Sequence, residues 1–155
     1  MKKLSVFVVV LTVTMAGCIH KPSGPVSAWE RVNVNMAALA QVNNDLAKGI
    51  IGIQQAGLIS SQQAAPVLNY QELVAKDHAA IENILAAGAG PAADQSAKVL
   101  ALLEEIKAQG TALAQSGGLG VKNPKTQETF SLDLQALVNL AEVVIGNFNQ
   151  ATGGK

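Results

Sequence analysis

Apolar residues follow two different patterns along this 155-residue chain. From Leu4 to Val13 they form an almost unbroken run, interrupted only by Ser5 and Thr12. From about Ser27 onward they recur every three or four residues, the period of one face of an α-helix, in four stretches divided by Gly, Pro and Ser breaks. The first stretch runs from about Ser27 to Ala56 and aligns Trp29, Val32, Met36, Leu39, Asn43, Leu46, Ile50 and Ile53 on one stripe, with Gly57 as its stop. Asn43 is the one polar member of that stripe. Either it pairs across a helical interface and fixes register, or Val42 rotates inward and leaves it at the edge; the second arrangement is the one expected.

The second stretch opens with Ser60 and Gln63 at capping-box spacing. Pro66 lies too deep for a free first-turn position, which predicts a bend or a short initial turn. Val67, Tyr70, Val74, Ile81 and Leu85 line one face, and Gly88–Gly90 end it. The third stretch starts at Pro91, a residue suited to a first helical position, and turns Val99, Leu102, Leu103, Ile106 and Leu113 inward before Gly117-Gly118. After the longest connection, Gly117 to Asn123, Asn123-Pro124 reads as N-cap and first helical residue. The fourth stretch carries Phe130, Leu134, Leu137, Ala141, Val144 and Phe148, with Leu132, Leu140 and Val143 expected on a second buried side. Gly153-Gly154-Lys155 reads as a frayed end. Four amphipathic helices with short connections predict an all-α, up-down-up-down four-helix bundle over residues 28–152. A helical hairpin that dimerises is the structural competitor.

Composition agrees with helix: Ala, Asn and Gln are abundant, and aromatics are only 3% of the chain. A hydrophobic share of 49% excludes a disordered chain. Eleven basic and eleven acidic residues are spread along the sequence, leaving no basic face for nucleic acid. One cysteine excludes an intramolecular disulfide framework.

That cysteine follows the first apolar run. Lys2 and Lys3 give a positive start, the run is too short for a spanning helix of about 20 residues, and Met15-Ala16-Gly17-Cys18 follows it. This stretch resembles the signal peptide and lipobox of bacterial lipoproteins, Leu-(Ala/Ser)-(Gly/Ala)-Cys, with Met15 in place of the commoner Leu. The resemblance covers residues 1–18 and implies diacylglyceryl transfer to the Cys18 thiol, cleavage between Gly17 and Cys18, and acylation of the new amino group. Two or three acyl chains, at roughly 0.8 kcal/mol per buried methylene, hold a protein durably at a bilayer. An ordinary signal peptide cut after Gly17, or an uncleaved anchor, is the alternative. Cleavage would leave nine basic against eleven acidic residues. Residues 18–27, with Pro22, Gly24 and Pro25, read as the lipidated cysteine and a tether reaching roughly 30 Å at about 3.3 Å per residue. Ile19, rather than Asp, resembles the pattern that permits export to an outer membrane in hosts with two membranes; otherwise the outer face of the cell membrane is expected.

Catalytic chemistry finds little to work with. Two histidines, His20 and His78, lack a Glu three residues earlier, which excludes the usual ferritin-like di-metal site. A zinc site would need the cysteine that lipid consumes, and haem attachment through Cys-x-x-Cys-His is absent. A fold-back near residues 57–60 brings His78 level with Leu39, one turn from Met36; together they could ligate haem or copper. The plainer alternative is a neutral His78 bonded to Glu82 or a backbone carbonyl. Glu72, Asp77 and Glu82 read as a solvated face. Glu104 and Glu105 are adjacent and diverge from a helix. The Gly117–Lys122 loop lacks the Gly-Lys-(Ser/Thr) ending of a phosphate cradle, and no Gly-x-Ser-x-Gly turn supports a hydrolase. Trp29 is expected either to cap the bundle end or to rest at a membrane interface. The sequence therefore predicts a lipid-anchored, non-catalytic helical module without a cofactor, its one specified partner the bilayer. A phage-type superinfection-exclusion or immunity lipoprotein and a small-molecule or haem carrier are the alternatives.

Overall fold

Four helices are set by caps that can be read residue by residue. In the computed structural model, which describes residues 26–86, 91–116 and 124–153, they are α1 (Ala28–Gln55), α2 (Ser61–Leu85), α3 (Ala93–Gln115) and α4 (Pro124–Thr152). Residues 1–25, which hold the expected leader, Gly17, Cys18 and most of the expected tether, lie outside the described residues, as do the connections 87–90 and 117–123 with Asn123, and residues 154–155.

Ser27 caps α1, its hydroxyl accepting the Glu30 amide at 3.1 Å. At the other end Gly57 takes φ +70, so the Gly57 and Leu58 amides can turn back onto the carbonyls of Gln54 and Ile53. Ser60 and Gln63 form the expected capping box on α2. The bend expected at Pro66 does not interrupt the helix, which runs unbroken through it. Pro66 is exposed, so water can serve the Gln62 carbonyl that loses its partner. α3 starts at Ala93, two residues later than expected from Pro91; Ala92 is its N-cap, and Gln95 reaches back to accept the Ala92 amide.

The bundle is a closed ring in which α1 and α3 each pack on both α2 and α4. Successive helices run antiparallel. Val32 and Met36 at the start of α1 share a core with Ile81 of α2, Val99 and Leu103 of α3, and Val144 and Phe148 of α4. A second cluster fills the other end with Leu39, Leu46, Ile50, Val67, Tyr70, Val74, Ile106, Phe130, Leu134 and Leu137. The predicted α4 stripe is buried throughout, and α4 buries more residues than any other helix. Its second side is different from expectation: Leu132 and Val143 are exposed, Leu140 is half-buried, and Val138 and Ile145 are buried instead. At about 100° per residue Leu132 and Val143 fall nearly opposite the Leu134–Phe148 stripe, whereas Val138 and Ile145 flank it.

The sole arginine closes the ring near the point where the chain enters. Arg31 donates to the Val26 carbonyl at 2.8 Å and reaches Gln150 and Asn147 of α4. Beside it Trp29 meets Phe148 edge-on, with ring centroids 5.7 Å apart, so the indole caps this end of the core.

Candidate functional site

Polar groups enter the interior where α2 meets its neighbours. Asn43, Gln71 and Asp77 are the polar side chains buried among the described residues. Asn43 is only 7% exposed and Val42 is half-buried, which reverses the arrangement expected for this pair. The Asn43 Nδ2 donates to the Gln71 main-chain carbonyl at 3.1 Å, so the residue ties α1 to α2 and fixes their register. Its Oδ1 has no partner, nor do Nε2 and Oε1 of Gln71. Both residues line an open groove of about 460 Å³ between α1 and α2, walled by Ala40, Ala47, Leu68 and Ala75 and rimmed by Glu72 and His78.

His78 lies at the level expected, but its contact with Met36 is not through sulfur. The ring Nε2 sits 3.0 Å from the Met36 carbonyl oxygen, a geometry in which Nε2–H donates. Nδ1 lies 3.6 Å from a Glu82 carboxylate oxygen. Met36 is buried in the core formed with Ile81, Leu103 and Phe148. Its main chain and its side chain thus serve two different surroundings. His78 has both nitrogens directed at oxygen atoms, the plainer of the two arrangements weighed from sequence. Among the described residues no three His, Cys, Asp or Glu side chains gather closely enough to hold a metal ion.

Asp77 departs most from expectation. Instead of joining Glu72 and Glu82 on a solvated face, it is 5% exposed, and its Oδ2 has no hydrogen-bond partner. The position follows from helical spacing: Asp77 is three residues after Val74 and four before Ile81, both fully buried. Burial pushes its carboxyl above the ordinary range, and Glu105 on α3 pushes in the same direction against a smaller opposing effect of Lys76. On the same α2–α3 seam the Tyr70 hydroxyl donates to the Ile106 carbonyl at 3.1 Å. Burial raises the Tyr70 pKa above its usual value. The hydroxyl fits there because Gly110 offers no side chain: a Cβ at that position would stand 2.5 Å from it.

Gln71 and Asp77 are the residues that sequence reasoning missed. Their signal was present, since both sit one step of three or four from buried valines on α2. The apolar-only stripe passed over them. α4 is long and apolar enough to cross a bilayer by length and composition, with mean hydropathy 1.3 over its best window. Its apolar stripe instead packs against α1 and α3 as a core helix. No family model matches the sequence, and no curated protein or solved structure matches it.

Proposed function

We propose that this protein is a bacterial lipoprotein whose helical bundle is held at the extracytoplasmic side of a membrane by acylated Cys18. There it acts as a non-catalytic binding or structural module. The observation that carries this reading is the Met15-Ala16-Gly17-Cys18 sequence directly after a short apolar run. A filled bundle that begins at Ala28 supports it, because nine residues separate the anchor from the first helix. Where the host has two membranes, Ile19 directs the protein to the outer one, facing the periplasm; otherwise it sits on the outer face of the cell membrane. The interior is occupied by Leu39, Leu137, Ile106, Phe148 and their neighbours, which speaks against a carrier that holds its cargo between the helices.

Cys18→Ser tests the anchor. The variant is expected in the soluble fraction with an unchanged melting curve, because residue 18 precedes the first helix by ten positions. The wild-type amino-terminal peptide should carry acyl mass on Cys18. A variant that still sediments with membranes, or a wild-type Cys18 that is unmodified, overturns the proposal.

A further inference from the structure

We propose that the outward face of α4 is the docking surface for a cationic amphipathic helix of a partner protein. The assignment holds whether or not Cys18 carries lipid. Opposite the buried stripe, Thr129, Leu132, Ala136, Asn139, Val143 and Gly146 follow one another at steps of three and four, and all six are exposed. That is the spacing of a second helix–helix seam, on a helix whose first seam already faces the core. Leu132 is 65% and Val143 48% exposed, and they stand three turns, about 16.5 Å, apart. Ala136 between them is small, and at Gly146 even a Cβ would meet nothing within 4 Å, so apolar side chains of a second helix find hollows beside these two ridges. The polar member of the stripe is already engaged, since Gln135 Nε2 donates to Asn139 Oδ1 at 2.9 Å. Only 33% of the most apolar window of α4 is buried, so the helix is more apolar than the core requires.

Charge selects the occupant. Glu128 and Glu142 flank the stripe on the side of α3 and Asp133 flanks it on the side of α1, whereas α4 has no basic residue beyond Lys125 in its first turn. Lysines of the adjoining helices are already set against acids: Lys107 lies 3.6 Å from Glu104 and 3.9 Å from Glu142, and Lys48 lies 3.7 Å from Asp45. Glu128 and Asp133 have no ion-pair partner among the described residues. Burial, and then Asp45, push the Asp133 carboxyl above its ordinary range, which marks negative potential that nothing in the bundle neutralises. Lysines flanking the apolar stripe of a docked helix meet these carboxylates, as flanking charges do in paired helices. A second copy of this chain would instead set Glu128 against Asp133 of the second copy with the helices parallel, or against its Glu142 with them antiparallel. Lipid tails would have to accept all three carboxylates.

The test is fluorescence anisotropy of a dye-labelled designed peptide of about three heptads, with Leu at the seam positions and Lys on both flanks, titrated with full-length protein in non-ionic detergent. Protein-free micelles are the blank, and the same peptide with Glu in place of Lys is the control. Saturable binding of the Lys peptide is expected, with the Glu peptide at least about tenfold weaker. Leu132→Ser together with Val143→Ser should weaken binding by about tenfold or more and leave the melting curve unchanged, since both side chains are exposed. Glu128→Gln with Asp133→Asn and Glu142→Gln should weaken it similarly and flatten its salt dependence, and this variant decides the matter if the serine variant does not fold. Val34→Ser, at an exposed apolar position of α1, should bind like wild type. Binding no stronger than the blank, equal affinity for both peptides, or undiminished binding by the variants would each overturn the proposal. So would a self-associated protein that the serine variant turns into a monomer, because a second copy then covers the face.

Discussion

Gly110→Ala separates local helix preference from tertiary packing at one position. Gly110 lies inside α3, where replacing Gly with Ala gains about 1 kcal/mol of helix propensity. The structure predicts the opposite sign. A Cβ there would stand 2.5 Å from the Tyr70 hydroxyl, 2.7 Å from Val138 Cγ2 and 3.0 Å from Tyr70 Cζ. Val138 is β-branched and stiff, and the Tyr70 ring is held by its bond to Ile106. Relief must come from moving the helices apart, at about 1–3 kcal/mol, or from breaking a buried hydroxyl bond, at about 1–3 kcal/mol. Net destabilisation of about 1 kcal/mol follows once the propensity gain is subtracted from the middle of either range. It would appear as a lower urea midpoint and a melting temperature lower by roughly 4 °C. Gly49→Ala and Gly146→Ala are the controls. A Cβ at either meets nothing within 4 Å, so both should stabilise by up to about 1 kcal/mol. Tyr70→Phe should recover part of the loss in the Gly110→Ala background by removing the nearest atom. A Gly110→Ala protein as stable as those controls would refute the close α2–α3 approach.

Three further outcomes are expected. Asp77→Asn should raise stability at neutral pH by about 1 kcal/mol or more, because it removes a buried charge without a partner. The raised folded-state pKa means that the native state keeps a proton the unfolded chain has lost above about 3.8. Wild-type stability from this group is therefore complete below that value and falls as pH rises through the folded pKa. Urea midpoints measured against pH should slope less steeply for Asp77→Asn, with a remainder from Asp133, whose carboxyl burial and Asp45 also raise; identical slopes would contradict the assignment. Leu137→Asp places an unpaired charge at a fully buried position and should abolish cooperative unfolding, read by far-ultraviolet circular dichroism. Phe148→Ala should cost about 3–5 kcal/mol and shift the emission of Trp29, the chain's single tryptophan, to longer wavelength as its edge-on partner is lost.

The helices and most core positions were legible because a period of three and four needs only local sequence. Phe130, Leu134, Leu137, Ala141, Val144 and Phe148 all lie where that period puts them. Reading failed where two adjacent residues competed for one stripe position, as with Val42 and Asn43, or Asp77 and His78. Apolarity alone selects Val42 over Asn43 and cannot decide between Asp77 and His78, whereas a buried Asn can donate a hydrogen bond to a neighbouring backbone carbonyl that only the fold brings near. Leu132 and Val143 failed for the converse reason: each is apolar, yet a helix has only one inward face. Gly110 carried a signal, a glycine inside an alanine-rich helix, whose meaning depends on Tyr70, forty residues earlier. The groove could not be anticipated because its carboxamides converge from α1 and α2.

The ring has a front and a back along its axis. The chain arrives at Val26, where Arg31 grips its carbonyl, and the Gly57 turn lies at the opposite pole, about 42 Å away along a helix of 28 residues. An attachment through the amino terminus is therefore made at the Val26 pole of the rod, the end that Arg31 and Trp29 close. Leu58, half uncovered on that turn, leaves an apolar side chain open at the pole away from Val26.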